Sequence, residues 1–121
     1  MTIQQMAEIL PFQRGMTAQR RSELKHILEL SESIHHQAQK RSWQIAAQLQ
    51  KTRRQAIDVF FEQAPQAYEA ETIHDVLKQV LALDAEVSLW LIDSKEALMI
   101  EGIQSRQQRS AAKAYQIGNS N

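Results

Sequence analysis

The sequence predicts an all-α fold: an antiparallel bundle of three main helices over about 17–41, 43–63 and 72–101, plus a short C-terminal helix over about 105–115. Three observations carry that prediction. Gly occurs three times and Pro twice, too few for a turn-rich β protein. From Leu24 onward the apolar residues recur at helical rather than alternating spacing. And 121 residues suit a single domain built on one core.

Residues 1–16 read as a flexible or short amphipathic extension, with Ile3, Met6, Ile9 and Leu10 at helical spacing before Pro11 and Gly15 interrupt it. It lacks the basic start and continuous apolar run of a secretory signal, and no window approaches the ~20 apolar residues of a membrane span. A cytoplasmic protein without a membrane span is expected. Gln4, Gln5 and Glu8 give the extension no cationic face for lipid.

Residues 17–101 make the bundle. In helix one, Leu24, Ile27, Leu28, Ile34 and Ala38 share one side with Ser31 and His35. Lys40 and Arg41 suit a helix C-terminus, and Ser42 suits the cap of the next helix. Helix two presents Trp43, Ala46, Leu49, Ile57, Phe60 and Phe61, with Arg53 inside that face, until Pro65 stops it. After a loop of about seven residues, Thr72 and Asp75 resemble a capping box that opens helix three. Its main stripe is Ile73, Val76, Leu77, Val80, Leu83, Val87, Trp90, Leu91 and Leu98. Leu81, Ile92 and Met99 form a second stripe about a quarter turn away, and one neighbouring helix cannot cover both. These three and Ile103 are the candidate partner contacts. Thirty residues at ~1.5 Å each make a rod of roughly 45 Å, against which helices one and two can each pack antiparallel.

Gly102 is expected to break the helix, leaving residues 102–121 as a C-terminal regulatory segment. Its short helix has Ala111, Ala112 and Tyr115 as apolar members, and at about eleven residues it is ordered only when docked.

Charge narrows the function. Lys plus Arg total 14 and Asp plus Glu total 14, which argues against a polyanion binder. The zero is unevenly built, because residues 1–60 carry nine bases and five acids while residues 61–121 carry five bases and nine acids. The absence of cysteine excludes disulfides, thiolate metal sites and a cysteine nucleophile. His26, His35, His36 and His74 show no metal-ligand spacing, so no metal or cofactor is expected. Ser31 and His35 stand one turn apart without an acid to orient the imidazole, and no phosphate cradle or paired-carboxylate motif is present; an enzyme is not expected. Lys40, Arg41, Lys51, Arg53 and Arg54 cluster near Trp43, yet Trp43 and Arg53 read as core-facing, which disfavours direct nucleic-acid binding. Arg53 and Asp84 each interrupt an apolar face, and the simplest account is a structural ion pair across the bundle.

The order of these features resembles the FliT family of flagellar export chaperones. The likeness covers Leu24 to Phe61 and Val76 to Tyr115: a helix reading ILELSESI, Trp43 after a short break, Arg53-Arg54 ten residues on, Phe60-Phe61 near the helix end, Leu83-Asp84-x-Glu86 in the long helix, and Ala114-Tyr115 closing the last segment. The resemblance implies a cytoplasmic helical chaperone that binds the filament-cap protein FliD, prevents its premature assembly and delivers it to the type III export apparatus. It also implies a C-terminal helix, here around Ala111, Ala112 and Tyr115, that folds over the groove and restrains access, with the export ATPase complex and the flagellar master regulator as further possible partners. The extra N-terminal stretch and the ending Ile117-Gly118-Asn119-Ser120-Asn121 depart from the family pattern. The alternative is a non-enzymatic adaptor or oligomerisation module in which the second stripe is a homodimer interface.

Overall fold

A computed structural model describes residues 15–119, with side chains through Tyr115. The expected extension lies outside the described residues apart from Gly15 and Met16. All regular structure among the described residues is helical: α1 (Ala18–Gln39), α2 (Trp43–Phe61), a 3-10 turn (Ala67–Glu69) and α3 (Ala70–Asn119). The chain divides into two compact units, the first ending at Val87 and the second beginning at Ser88.

In the first unit α1 starts as its sequence dictates. Thr17 is extended, and its hydroxyl accepts from the Arg20 N–H at 3.1 Å, satisfying one of the free amides of the first turn. At the other end the Ser42 N–H donates to the Gln37 carbonyl and the Arg41 N–H to the Ala38 carbonyl, both at 2.9 Å, with Arg41 left-handed at φ 64°. This is the double-bonded helix stop usually built on glycine, here carried by an arginine whose guanidinium also donates to the Ala38 carbonyl. Ser42 occupies the N-cap of α2 but makes no side-chain cap bond, contrary to its expected role.

Met16, just ahead of α1, joins Leu24 and Ile27 of α1, Phe60 of α2, and Ile73 and Val80 from the start of α3 in one buried cluster, with Leu28, Ala56, Ile57 and Val76 packed against it. Cross-links fix the helix directions. Arg20 meets Glu69 and His35 meets Glu86, so α1 and this part of α3 run the same way, while Arg53 meeting Asp84 and Arg20 meeting the Phe60 carbonyl place α2 antiparallel to both. The expectation that helix one runs antiparallel to helix three is therefore corrected, because two short connections produce an up-down-up order.

Two further expectations change. The capping box proposed at Thr72 and Asp75 is not the start of α3, which follows directly on the 3-10 turn; there the Glu69 carboxylate accepts from the Gln66 N–H at 2.9 Å. Gly102 does not break the helix either. Residues 105–115 continue α3 rather than forming a separate short helix. Glycine in a helix interior costs ~1 kcal/mol, too little to stop a run flanked on both sides by good helix formers. Phe61, expected in the apolar face of helix two, is 42% exposed, with its ring set edge-on to the buried Phe60 at 5.1 Å.

A candidate partner-binding face on the long helix

Ion pairs at three levels hold the first unit, and the most buried of them was not anticipated from the sequence. The Arg20 Nε donates to Glu69 Oε2 at 2.7 Å and its Nη2 to Oε1 at 3.3 Å, while Nη1 donates to the Phe60 carbonyl at 3.0 Å. The guanidinium carbon also lies 4.1 Å from the Phe60 ring centroid. Both side chains are almost fully enclosed, at 6% and 2% exposure. The hydrogen bonds from Arg20 hold the Glu69 carboxyl below the usual carboxylate range against the opposing effect of burial, and the Gln66 N–H adds to the lowering. A signal was available, since stepping the buried positions Ser31, Ile27 and Leu24 back by one more turn lands on Arg20.

Arg53 and Asp84 are brought together. The Arg53 Nη1 donates to Asp84 Oδ1 at 2.8 Å and to Ser31 Oγ at 3.0 Å, and that hydroxyl donates in turn to the Ile27 carbonyl at 2.8 Å. One guanidinium thus ties α1, α2 and α3 at the middle of the unit. One level further along, His35 Nε2 and Glu86 Oε2 are 2.7 Å apart. Among the described residues every buried side-chain nitrogen and oxygen has a hydrogen-bond partner, and no group of three His, Asp or Glu side chains is arranged to hold a metal ion.

The candidate contacts sit on open surface. Leu81, in the first unit, is 67% exposed; in the second, Ile92 is 51%, Met99 63% and Ile103 42%. Leu89, Leu98 and Ile100, not singled out from the sequence as contacts, are exposed as well. Leu77, Leu91 and Leu98 belong by spacing to the main stripe, yet they too are exposed, whereas Ile73, Val80 and Val87 are buried. Ala111, Ala112 and Tyr115 lie on the continuous helix with their side chains exposed, so in this conformation they do not turn back on residues 88–101 of the same unit.

Such a face offers no nucleophile, base or ligand set. What it can do is bury apolar area against another helix, which is the usual meaning of a long exposed apolar stripe. No helix of the described residues is long and apolar enough to cross a membrane. A family model described as Flagellar protein FliT matches residues 21–117. No curated protein and no solved structure matches the chain.

Proposed function

The chain belongs to the FliT family of flagellar proteins, and from that premise we propose that it is a non-enzymatic export chaperone of the cytoplasm whose client is the filament-cap protein FliD. It holds the client unassembled and delivers it to the type III export apparatus. The observation that carries this reading is the row Ile92, Met99 and Ile103, about half or more exposed at two of its three positions, on a helix whose other end is locked into a closed core. A client helix laid on that row buries the same area that an assembly partner would otherwise claim.

The regulatory part of the proposal concerns residues 102–121. Restraint by Ala111, Ala112 and Tyr115 requires a second conformation in which the helix bends, and Gly102, which lies within the row between Met99 and Ile103, is the position with the lowest helix propensity from Ile92 to Tyr115.

Binding of FliD to the full chain tests the reading. Ile92→Asp with Met99→Asp is expected to weaken capture at least about tenfold while leaving helix content unchanged, since truncating exposed apolar contacts affects partners rather than fold. Truncation after Glu101 is expected to tighten it. A chain that binds no flagellar export substrate at all would overturn the proposal.

A further inference from the structure

The first unit leaves an apolar groove open between α1 and the start of α3. Leu24 and Leu28 of α1 and Val76 of α3 line it, with Arg21, Lys25 and Thr72 along its edges. Leu28 and Val76 pack against the buried cluster yet stay partly exposed. The groove between α1 and α2 is more polar: Glu23, His26, Thr52 and Gln55 surround Ala56 and Val59 there. The two also differ in direction. Since α1 and α3 run the same way, a helix laid antiparallel between them completes the alternating order of a four-helix bundle and opposes both dipoles. Laid between α1 and α2, it would run parallel to one of them.

The chain reaches α1 past the mouth of that groove. Met16 is buried, and Gly15 lies so close to the Tyr68 ring that a Cβ there would run into it. Tyr68 stands four residues ahead of Thr72. In the sequence before Gly15, Ile3, Met6, Ala7 and Leu10 fall within about 100° of a helix surface, with Gln4, Gln5 and Glu8 on the opposite side, and Pro11 stops such a helix. One apolar face of this width suits one groove. Residues 3–10 span about 12 Å as a helix, against roughly 10 Å along α1 from Arg21 to Leu28. Residues 11–14 reach about 13 Å when extended, enough to cross the ~8–10 Å between packed helix axes. Folding back about Gln13 and Arg14 sets Met6 level with Arg21 and Ile3 level with Leu24. Because Arg20 meets Glu69 and His35 meets Glu86, these levels fall within a turn of Thr72 and Val76 on α3.

We propose that the groove between α1 and α3 is the seat of this chain's own residues 3–10, docked as a short helix antiparallel to both. Occupancy covers Leu28 and Val76 and gives the first unit a fourth wall. The seat shares no residue with the row Ile92, Met99 and Ile103, so it stands or falls apart from the client reading.

The test uses the full chain and needs no client. The chain has no cysteine, so introduced pairs report on position without background. Met6→Cys with Thr72→Cys reads the proposed seat. Met6→Cys with Val59→Cys reads the groove between α1 and α2 at the same level, since Arg20 bonds the Phe60 carbonyl. In dilute protein under mild oxidation the Thr72 pair is expected to close within one chain at least about tenfold faster than the Val59 pair. Ile3→Asp with Leu10→Asp removes the apolar face of the segment without touching the core. It is expected to slow closure of the Thr72 pair at least about fivefold, and to speed alkylation of a single Thr72→Cys thiol at least about threefold. Equal closure of the two pairs, or faster closure to Val59, overturns the proposal. So does a Thr72 disulfide that forms only between chains as concentration rises, which would give the groove to a second copy. Aspartates without effect on closure and alkylation overturn it as well.

Discussion

The two units solve opposite problems with the same secondary structure. Up to Val87, polar groups are drawn inward and paired, as with Arg20 and Glu69 behind Phe60, while Ile27, Ile34 and Phe60 are all but removed from water. From Ser88 onward, arginines bond back along their own helix, Arg106 to the Gly102 carbonyl and Arg109 to the Ser105 carbonyl, and Leu98, Met99 and Ile100 stay more than half exposed. The first unit therefore holds the stability of the fold, and the second holds apolar area in reserve. An acid buried in one unit and an isoleucine exposed in the other are each costly in isolation. Each makes sense once the paired guanidinium of the first and a partner for the second are supplied.

Removing Glu69 is the most forceful way to break this contrast. Glu69→Gln leaves the Arg20 charge enclosed without its counter-ion, and a loss of about 3 kcal/mol in urea unfolding is expected. Exposed substitutions in the second unit, such as Met99→Gln, should stay within about 0.5 kcal/mol. The pH dependence carries the same information with a definite sign. The folded carboxyl is held below its ordinary value near 4.5, so its contribution is complete above that value and fades as pH falls through the depressed folded value. The wild type should lose stability faster than Glu69→Gln on acidification below about pH 4.5, and parallel curves would mean that the pair contributes nothing.

A smaller effect is expected at the middle level of the bundle. Asp84 is 34% exposed, so water compensates part of what Asn would lose, and Asp84→Asn should cost about 1 kcal/mol. Combining it with Arg53→Met, in a double-mutant cycle, should recover part of the sum. Strict additivity would show that the 2.8 Å contact is geometrically present but energetically idle.

The difference between these two pairs also explains what could be read from the sequence. Arg53 and Asp84 each interrupt a long apolar stripe, and a charge inside a stripe is visible as an exception to its period. Arg20 stands at the end of its stripe and Glu69 outside any regular period in a 3-10 turn, so neither breaks a pattern; their meeting depends on how the end of α2 sets the Phe60 ring and carbonyl against the Arg20 guanidinium. The three main helices were legible because they depend on periodicity within one segment. The direction of α1 relative to α3 was not, because that depends on the connections.

Gly102 was misread for a related reason, and it supports the finest test. Glycine is an interruption of propensity, worth ~1 kcal/mol, and not of geometry, so an exposed helix can run through it. A Cβ added there meets nothing within 4 Å, which means that packing in this conformation does not demand glycine. Gly102→Ala should therefore raise helix stability around that position by about 1 kcal/mol, read as slower amide exchange in residues 98–106. Its effect on FliD then separates two roles for the glycine. If the tail restrains the client face by bending the helix, alanine disfavours the bent form and should tighten binding in the same direction as truncation after Glu101. Tighter exchange protection with unchanged affinity would leave Gly102 a local weakness of the helix and remove it as the hinge.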